Sequence, residues 1–452
     1  MTRMIALALS SLLLSANTHA AAPATAERMD QVARYYVTRQ FSGAVLVARG
    51  DKVLFSKGYE FANLEWRIPN TTTTRFRIGS VTKQFTAAAV LLLEERGRLK
   101  VDDLVKTYFP EAPVTWGNIT LAQLLSHTAG IPNYTDRPDM MQFSARHMTP
   151  TEIVNTVRDR PLDFLPDAQM RYSNTGYVLL GIVIEKASGM TYEKFLQENF
   201  WTPLGMKETG YDENAKVIPQ RASGYAPGPA GPVNSYYVDM STPFSAGALY
   251  STVGDLLIWE RALFGKRVLS DASLQKMTTP NKNDYGFGLS ISTQAGRKII
   301  RHSGGISGFN SNLTYYPDEQ VVVVVLSNMS GGADEVAAKL GALALGEVVT
   351  LPSERKSVAV PKGVLEKYVG TYQLGPAFNI WFTVDGGQLF SQATGQPKFP
   401  LRAESDTVFY PLAFEARLEF QKDSSGKVIS VTLDQGGHTV VAPRTSDSIP
   451  PP

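Results

Sequence analysis

Arg77-Ile78-Gly79-Ser80-Val81-Thr82-Lys83-Gln84-Phe85 runs straight into Thr86-Ala87-Ala88-Ala89-Val90-Leu91-Leu92-Leu93-Glu94-Glu95-Arg96-Gly97. Good helix formers fill the run, and Gly97 stands where a left-handed C-terminal cap is wanted. Phe85 to Leu93 is apolar on every face, so the helix is expected to thread a core. Ser80 and Lys83 open it, three residues apart and on one face. A hydroxyl and an ammonium at the mouth of a buried helix are expensive to desolvate unless they are paired or used. They have the makings of a nucleophile beside a base. The same two residues also read as an N-terminal helix Ser and a solvated Lys. Ser-x-x-Lys starts again at Ser273, Ser353 and Ser424, but only Ser80 leads into a long apolar helix.

Upstream, a helix is expected from Ala26 to about Arg39. Gly43–Arg49 and Lys52–Gly58 then flank Gly50-Asp51, the pattern of a β-hairpin. Downstream, residues 101–245 read as helices and loops: Thr120–His127, Thr151–Asp159 and the apolar Asn174–Ser188 capped by Gly189. An amphipathic helix is expected over 252–264. Strands return at Tyr285–Thr293, Lys298–His302, Phe309–Tyr316 and Gln320–Leu326, and Val321–Val325 reads as buried on both faces. A helix, Gly332–Gly346, follows. The fold class is α+β: an antiparallel sheet flanked by helices, with an inserted all-helical lobe.

Residues 349–362 read as a linker, and 363–445 as a small all-β barrel-like or sandwich domain of short strands. Residues 446–452 form a tail. Residues 1–20, with Arg3, an apolar Met4–Leu14 and Thr18-His19-Ala20, read as a signal peptide, so the chain is expected to be periplasmic or secreted. The domain between them is 21–348.

Lys plus Arg number 44 and Asp plus Glu 42, with no basic tract, which argues against nucleic acid as a partner. The absence of Cys removes thiol catalysis, Cys-ligated zinc and disulfides. No later apolar run reaches the length of a membrane span, so no integral membrane segment is expected once the signal is removed.

Two further stretches carry chemistry. In Arg171-Tyr172-Ser173-Asn174 a phenol can shuttle a proton if nearby cations, Lys83 for one, lower its pKa. The Asn174 amide can donate to a substrate carbonyl and accept from its N–H. The plainer alternative is a half-buried Tyr and an ordinary N-cap. In Arg301-His302-Ser303-Gly304-Gly305-Ile306 the glycines allow close backbone approach, and an edge strand there can pair with an extended substrate. The alternative is a glycine-rich turn with a surface His.

In this order the three motifs, Ser80-Val81-Thr82-Lys83, Tyr172-Ser173-Asn174 and His302-Ser303-Gly304, resemble those of the serine β-lactamase and penicillin-binding-protein family. The likeness is nearest its class C-like branch of D-alanyl-D-alanine carboxypeptidases, D-aminopeptidases and esterases. Leu124–Ile131, Pro203–Met206 and Ala246–Thr252 extend it. The resemblance implies Ser80 as nucleophile and Lys83 and Tyr172 as the proton-transfer groups, with the acylation base left open between them. It implies Asn174, His302 and Gly304 as substrate-binding, and the backbone N–H groups of Ser80 and Gly305 as an oxyanion hole. No cofactor and no metal are implied. The implied substrate is a small D-amino-acid peptide, amide, ester or lactam. Many β-lactamases carry Lys where His302 stands, which favours a peptidase or esterase over an efficient β-lactamase. A β-lactam hydrolase and a catalytically weak penicillin- or peptide-binding protein are the alternatives. The trailing domain resembles the lipocalin-like barrel of some members. Its residues near Trp381 or in the 385–398 turns are expected to approach the cleft.

Among rival chemistries, a Ser-His-Asp hydrolase would need a G-x-S-x-G elbow, which the chain lacks, and His127 reads as structural. The five His include no H-E-x-x-H pair. The sequence leaves the oligomeric state and the role of the last domain open.

Overall fold

The computed structural model describes residues 25–435 and 438–448. The expected signal segment 1–20 and residues 449–452 of the expected tail lie outside the described residues.

Helix α1 (Thr25–Val37) precedes a hairpin of β1 (Gly43–Arg49) and β2 (Lys52–Tyr59), turned by Gly50 at φ 50°. Helix α2 (Thr82–Glu95) follows, and Gly97 at φ 67° ends it as a left-handed cap. The inserted lobe is built on α3 (Asn174–Ser188), terminated by Gly189 at φ 75°. Helix α4 (Val253–Phe264) leads back to β3 (Ser290–Gln294), β4 (Arg297–Ile306), β5 (Phe309–Tyr316), β6 (Val321–Ser327) and α5 (Ala333–Ala344). The sheet order is β3-β4-β5-β6-β1-β2, with every ladder antiparallel.

Strands β1 and β6 are central, so both faces must be covered. Ala44, Leu46, Val322, Val324 and Leu326 join the core that contains Phe85 and Trp259. Their neighbours Val45, Val47, Val321, Val323 and Val325 join Met29, Val32, Val336 and Leu340 of α1 and α5. Fully burying each such side chain stabilises the fold by about 1.5–3 kcal/mol. Phe85 stacks on Trp259 at 4.0 Å and so joins α2 to α4.

The structure corrects two expectations here. Tyr285 to Leu289 is not strand; β3 begins at Ser290. Gly288 takes φ 70° there, and a Cβ on it would lie 2.6 Å from the Lys83 carbonyl oxygen. Helix α4 is not amphipathic: Asp255 and Glu260 are buried along with its apolar residues. The 349–362 stretch between the domains is held by contacts to both of them. Val349 and Leu351 are buried, Glu354 pairs with Arg28 at 2.5 Å, and the Val358 N–H donates to the Ala403 carbonyl at 2.9 Å.

Eight strands then close into a barrel: β7 (Gly370–Gly375), β8 (Phe378–Asp385), β9 (Gln388–Ala393), β10 (Phe399–Ala403), β11 (Val408–Pro411), β12 (Arg417–Lys422), β13 (Val428–Gln435) and β14 (His438–Ser446). Pairing of Thr371 with Ser446 shuts the ring, one residue beyond the expected boundary. Its interior is filled by aromatic side chains, Tyr368 stacking on Phe420 at 4.1 Å. No helix among the described residues is long and apolar enough to cross a membrane.

Candidate active site

Ser80 does not sit inside α2 but in a single 3-10 turn, Gly79–Val81, just ahead of it. Gly79 takes φ 49°. Strand β4 passes so close that a Cβ on Gly304 would lie 2.1 Å from the Ile78 carbonyl oxygen and 3.0 Å from the Ser80 nitrogen. Ser311 of β5 donates to the same Ile78 carbonyl at 2.8 Å. Glycine at 79 and 304 is therefore what lets the strand and the turn meet. Strand β3 pairs only with Arg297–Arg301, so among the described residues the edge of β4 from His302 to Ile306 is open on that side. A Cβ on Gly305 would meet nothing within 4 Å.

Lys83 is fully buried. Its Nζ lies 3.0 Å from Ser80 Oγ and donates to Asn174 Oδ1 and the Ala246 carbonyl, each at 2.8 Å. Burial drives its pKa well below the usual lysine value. A neutral amine has two N–H donors and one lone pair. An ammonium would donate to all three acceptors; a neutral amine would keep its two donors for Asn174 and Ala246 and leave its lone pair for the Ser80 hydroxyl proton. Asn174 is itself oriented: its Nδ2 donates to Thr135 Oγ1 at 3.2 Å.

Tyr172 lies over this pair, its ring centroid 4.7 Å from Lys83 Nζ. Its hydroxyl is buried without a full hydrogen bond. Burial raises its pKa, and the nearby Ser80 hydroxyl opposes the rise only partly. Burial, rather than a lysine charge, dominates the phenol, and the same burial lowers the pKa of Lys83.

His302 is also reset by burial, which lowers its pKa to about 3. Its Nδ1 lies 2.6 Å from the Ser303 carbonyl oxygen, which can only accept, so Nδ1 carries the proton. The Tyr285 hydroxyl then donates to Nε2 at 2.9 Å. Both ring nitrogens are engaged within the protein, and the ring is neutral.

Two residues that the sequence reading did not place in the site pack against Tyr172. Tyr285 gave no signal, lying in a stretch that reads as strand. His127 accepts the Arg171 N–H on its carbonyl at 3.0 Å and the Ser173 N–H on Nδ1 at 3.2 Å, while its ring lies 4.3 Å from that of Tyr172. It grips the chain on both sides of the phenol.

A family model described as Beta-lactamase matches residues 27–346. This chain belongs to the beta-lactamase family. A second model, a domain of unknown function (DUF3471), matches residues 354–445. A penicillin-binding protein of Bacillus subtilis (strain 168) is 31% identical over 410 residues, which cover 84% of this chain and 90% of the relative. The octameric penicillin-binding protein homologue from Pyrococcus abyssi is 25% identical with TM-score 0.67, covering 92% of this chain and 99% of that one. The D-amino acid amidase from Ochrobactrum anthropi SV3 is 25% identical with TM-score 0.64, covering 71% of this chain and 99% of that one. Family and neighbours make the protein a serine hydrolase of the beta-lactamase fold.

In this beta-lactamase-family site, Ser80 opens onto a cavity of about 230 Å³ that Asn174 and Gly305 also line. Tyr172, His302 and Ser303 line a separate chamber of about 710 Å³, to which Ser80 does not contribute. The barrel supplies part of its wall through Glu415, Ala416, Arg417, Asp434 and Gln435. Trp381 and the 385–398 turns are not among the lining residues, which corrects the expectation that they approach the cleft. The ends of β12 and β13 line that chamber instead.

Proposed function

We propose that the protein hydrolyses a D-amino-acid peptide, amide or ester through an acyl-enzyme on Ser80. The observation that carries this reading is the buried Lys83 amine at 3.0 Å from Ser80 Oγ, with its two other partners both obligate acceptors. Lys83 Nζ takes the Ser80 proton as the Oγ–C bond forms. The C–N or C–O bond to the leaving group then breaks, and that group departs with a proton delivered from Lys83 by way of the Tyr172 hydroxyl. Water reverses the sequence: it gives its proton to the same pair, attacks the ester carbonyl, and the Ser80 oxygen leaves and is reprotonated. The backbone N–H groups of Ser80 and Gly305 hold the developing oxyanion, each such donor contributing about 3 kcal/mol. Asn174 and the open edge of β4 orient the acyl part.

The neutral His302 supports amide and ester substrates over efficient β-lactam hydrolysis, since it offers no fixed cation to a substrate carboxylate. Slow acylation by penicillin remains compatible with the nucleophile. The N-terminal stretch 1–20 supports an exported protein, acting in the periplasm or outside the cell.

The test is intact mass after incubation with a penicillin, a short-chain ester and a D-amino-acid amide, on wild type and Ser80→Ala. Wild type should gain the acyl mass or turn the ester or amide over, and Ser80→Ala should do neither. An adduct or turnover that survives Ser80→Ala removes the assigned nucleophile.

A further inference from the structure

A third cavity, of about 700 Å³, lies where α1, the 349–362 stretch and the barrel meet. None of Ser80, Lys83, Tyr172, Asn174 and His302 lines it. Its charged residues are Arg34, Arg39, Arg355 and Arg402, with no Asp or Glu among them. Arg34 is neutralised by Asp30 at 3.0 Å. The other three make no ion pair among the described residues, and each belongs to a different one of the three segments. The carboxylates of Asp30, Glu354 and Glu415, carried by those same segments, are also engaged by Lys57, Arg28 and Lys339. Arg355 borders the larger chamber as well, and there Glu415 is the residue that Lys339 holds.

Neutral groups surround the three free guanidinium groups. Arg39 lies 3.5 Å from the Tyr35 ring centroid, and it donates to the Tyr35 carbonyl at 3.3 Å and to the Leu412 carbonyl. Arg355 lies 5.2 Å from the Tyr410 ring centroid, and the Tyr410 hydroxyl donates to the Arg355 carbonyl at 3.1 Å. Arg402 stands opposite Tyr410 in the β10–β11 ladder, so their side chains leave one face of the sheet. Tyr410 is thus the common neighbour of Arg355 and Arg402. Neither of these two side chains donates a hydrogen bond among the described residues, which leaves their donors for a ligand.

Like charges on one wall repel, and an anion between them relieves that repulsion. The guanidinium fork matches phosphate and carboxylate oxygens. A phosphate monoester brings close to two negative charges on one group at neutral pH, where a carboxylate brings one. The volume falls within the range of about 300–1,000 Å³ of small-molecule sites, which suits an organic phosphate better than the bare ion. Leu351, Pro352 and Leu412 give the organic part an apolar wall.

We propose that this cavity binds an organic phosphate monoester, whose oxygens accept from Arg355 and Arg402 while Arg39 adds charge. The site is separate from the Ser80 centre and does not rest on the reading of Ser80. A free small molecule and a lipid headgroup both present this chemistry, and the experiment separates them.

The full chain is titrated calorimetrically at low salt with glycerol 3-phosphate, glycerol and succinate, and co-sedimented with phosphatidylcholine vesicles that contain or lack phosphatidic acid. Binding of glycerol 3-phosphate identifies a free phosphate ester as the ligand. Co-sedimentation that needs phosphatidic acid, without binding of glycerol 3-phosphate, identifies the lipid headgroup. In either case Arg355→Gln and Arg402→Gln should each weaken binding by about tenfold, the scale of one lost charge-assisted hydrogen bond. Both variants should keep the wild-type melting temperature without ligand, since neither side chain is hydrogen-bonded within the protein. Arg160→Gln removes the same charge from an exposed position outside the cavity and should bind as wild type does. Glycerol should not bind, and succinate should bind more weakly than the phosphate ester. The proposal is overturned if neither phosphate probe binds, if succinate binds as tightly, if both cavity variants keep full affinity, or if Arg160→Gln loses as much as they do.

Discussion

The tyrosines inside the barrel and the one over Ser80 are buried in different ways. In the barrel the Tyr368 hydroxyl donates to the Asp406 carbonyl at 2.5 Å, and that of Tyr372 to the Tyr368 carbonyl at 3.0 Å. Their rings fill the interior beside Phe382 and Phe420. In the first domain the Tyr172 hydroxyl is equally hidden from water yet has no full partner. A buried polar group left unpaired costs about 1–3 kcal/mol, and a fold keeps it only under constraint. The barrel tyrosines are satisfied; in the proposed mechanism the unpaired phenol beside Ser80 is the one that takes up a substrate group. Glycine makes that possible, by bringing β4 against the Ser80 turn so tightly that no side chain fits at Gly304.

Substitutions can break or sharpen the contrast. Tyr172→Phe should have the largest effect, lowering kcat by about 10²–10⁴. Its melting temperature should stay the same or rise, because the deleted hydroxyl had no partner; a stability loss like that of a satisfied tyrosine would erase the contrast. Phe420→Ala should destabilise the barrel by about 3–5 kcal/mol in a denaturant titration. Acylation of Ser80 by a small ester should survive in the folded fraction.

Glu260 gives a third case, a carboxylate rather than a phenol. It is buried on α4 with Oε2 unpartnered, and burial raises its pKa from 4.5 to about 8. Between those values the folded state holds a proton that the unfolded state has released. Its contribution is therefore fully present below about 4.5 and is lost as pH rises toward 8. The local slope is about 1.4 kcal/mol per pH unit. Glu260→Gln should flatten the stability curve over that window, as followed by urea unfolding at several pH values. The smallest effect should come from Tyr372→Phe, about 1 kcal/mol of barrel stability for one hydrogen bond, with acylation kinetics unchanged.

Much of this architecture is legible in the chain because local pattern and tertiary position agree. Val321–Val325 is apolar at every position, and the strand is covered on both faces. Gly50, Gly97 and Gly189 mark turns or helix ends and each takes a positive φ. The pairing of Ser80 with Lys83 needs only helix spacing to foresee. What was not legible depends on partners distant in sequence. Helix α4 carries Asp255 and Glu260, which read as a solvent face, yet Asp255 accepts from Thr209 Oγ1 at 2.8 Å inside the protein. The neutral state of His302 is set by burial and by Tyr285, seventeen residues before it and in no motif. The barrel residues that reach the chamber, Glu415 and Asp434, are ordinary charged residues until the domains are brought together.

The central claim is that the buried Lys83 amine titrates well below an ordinary lysine and takes the Ser80 proton. The direct measurement is a pH titration of the lysine ¹³Cε resonances, with Lys83 assigned by its absence in Lys83→Ala. The expected result is one lysine titrating far below 10.5, with acylation of Ser80 lost as pH falls through that same midpoint. A Lys83 resonance that titrates near 10.5, beside the other lysines, would contradict the claim.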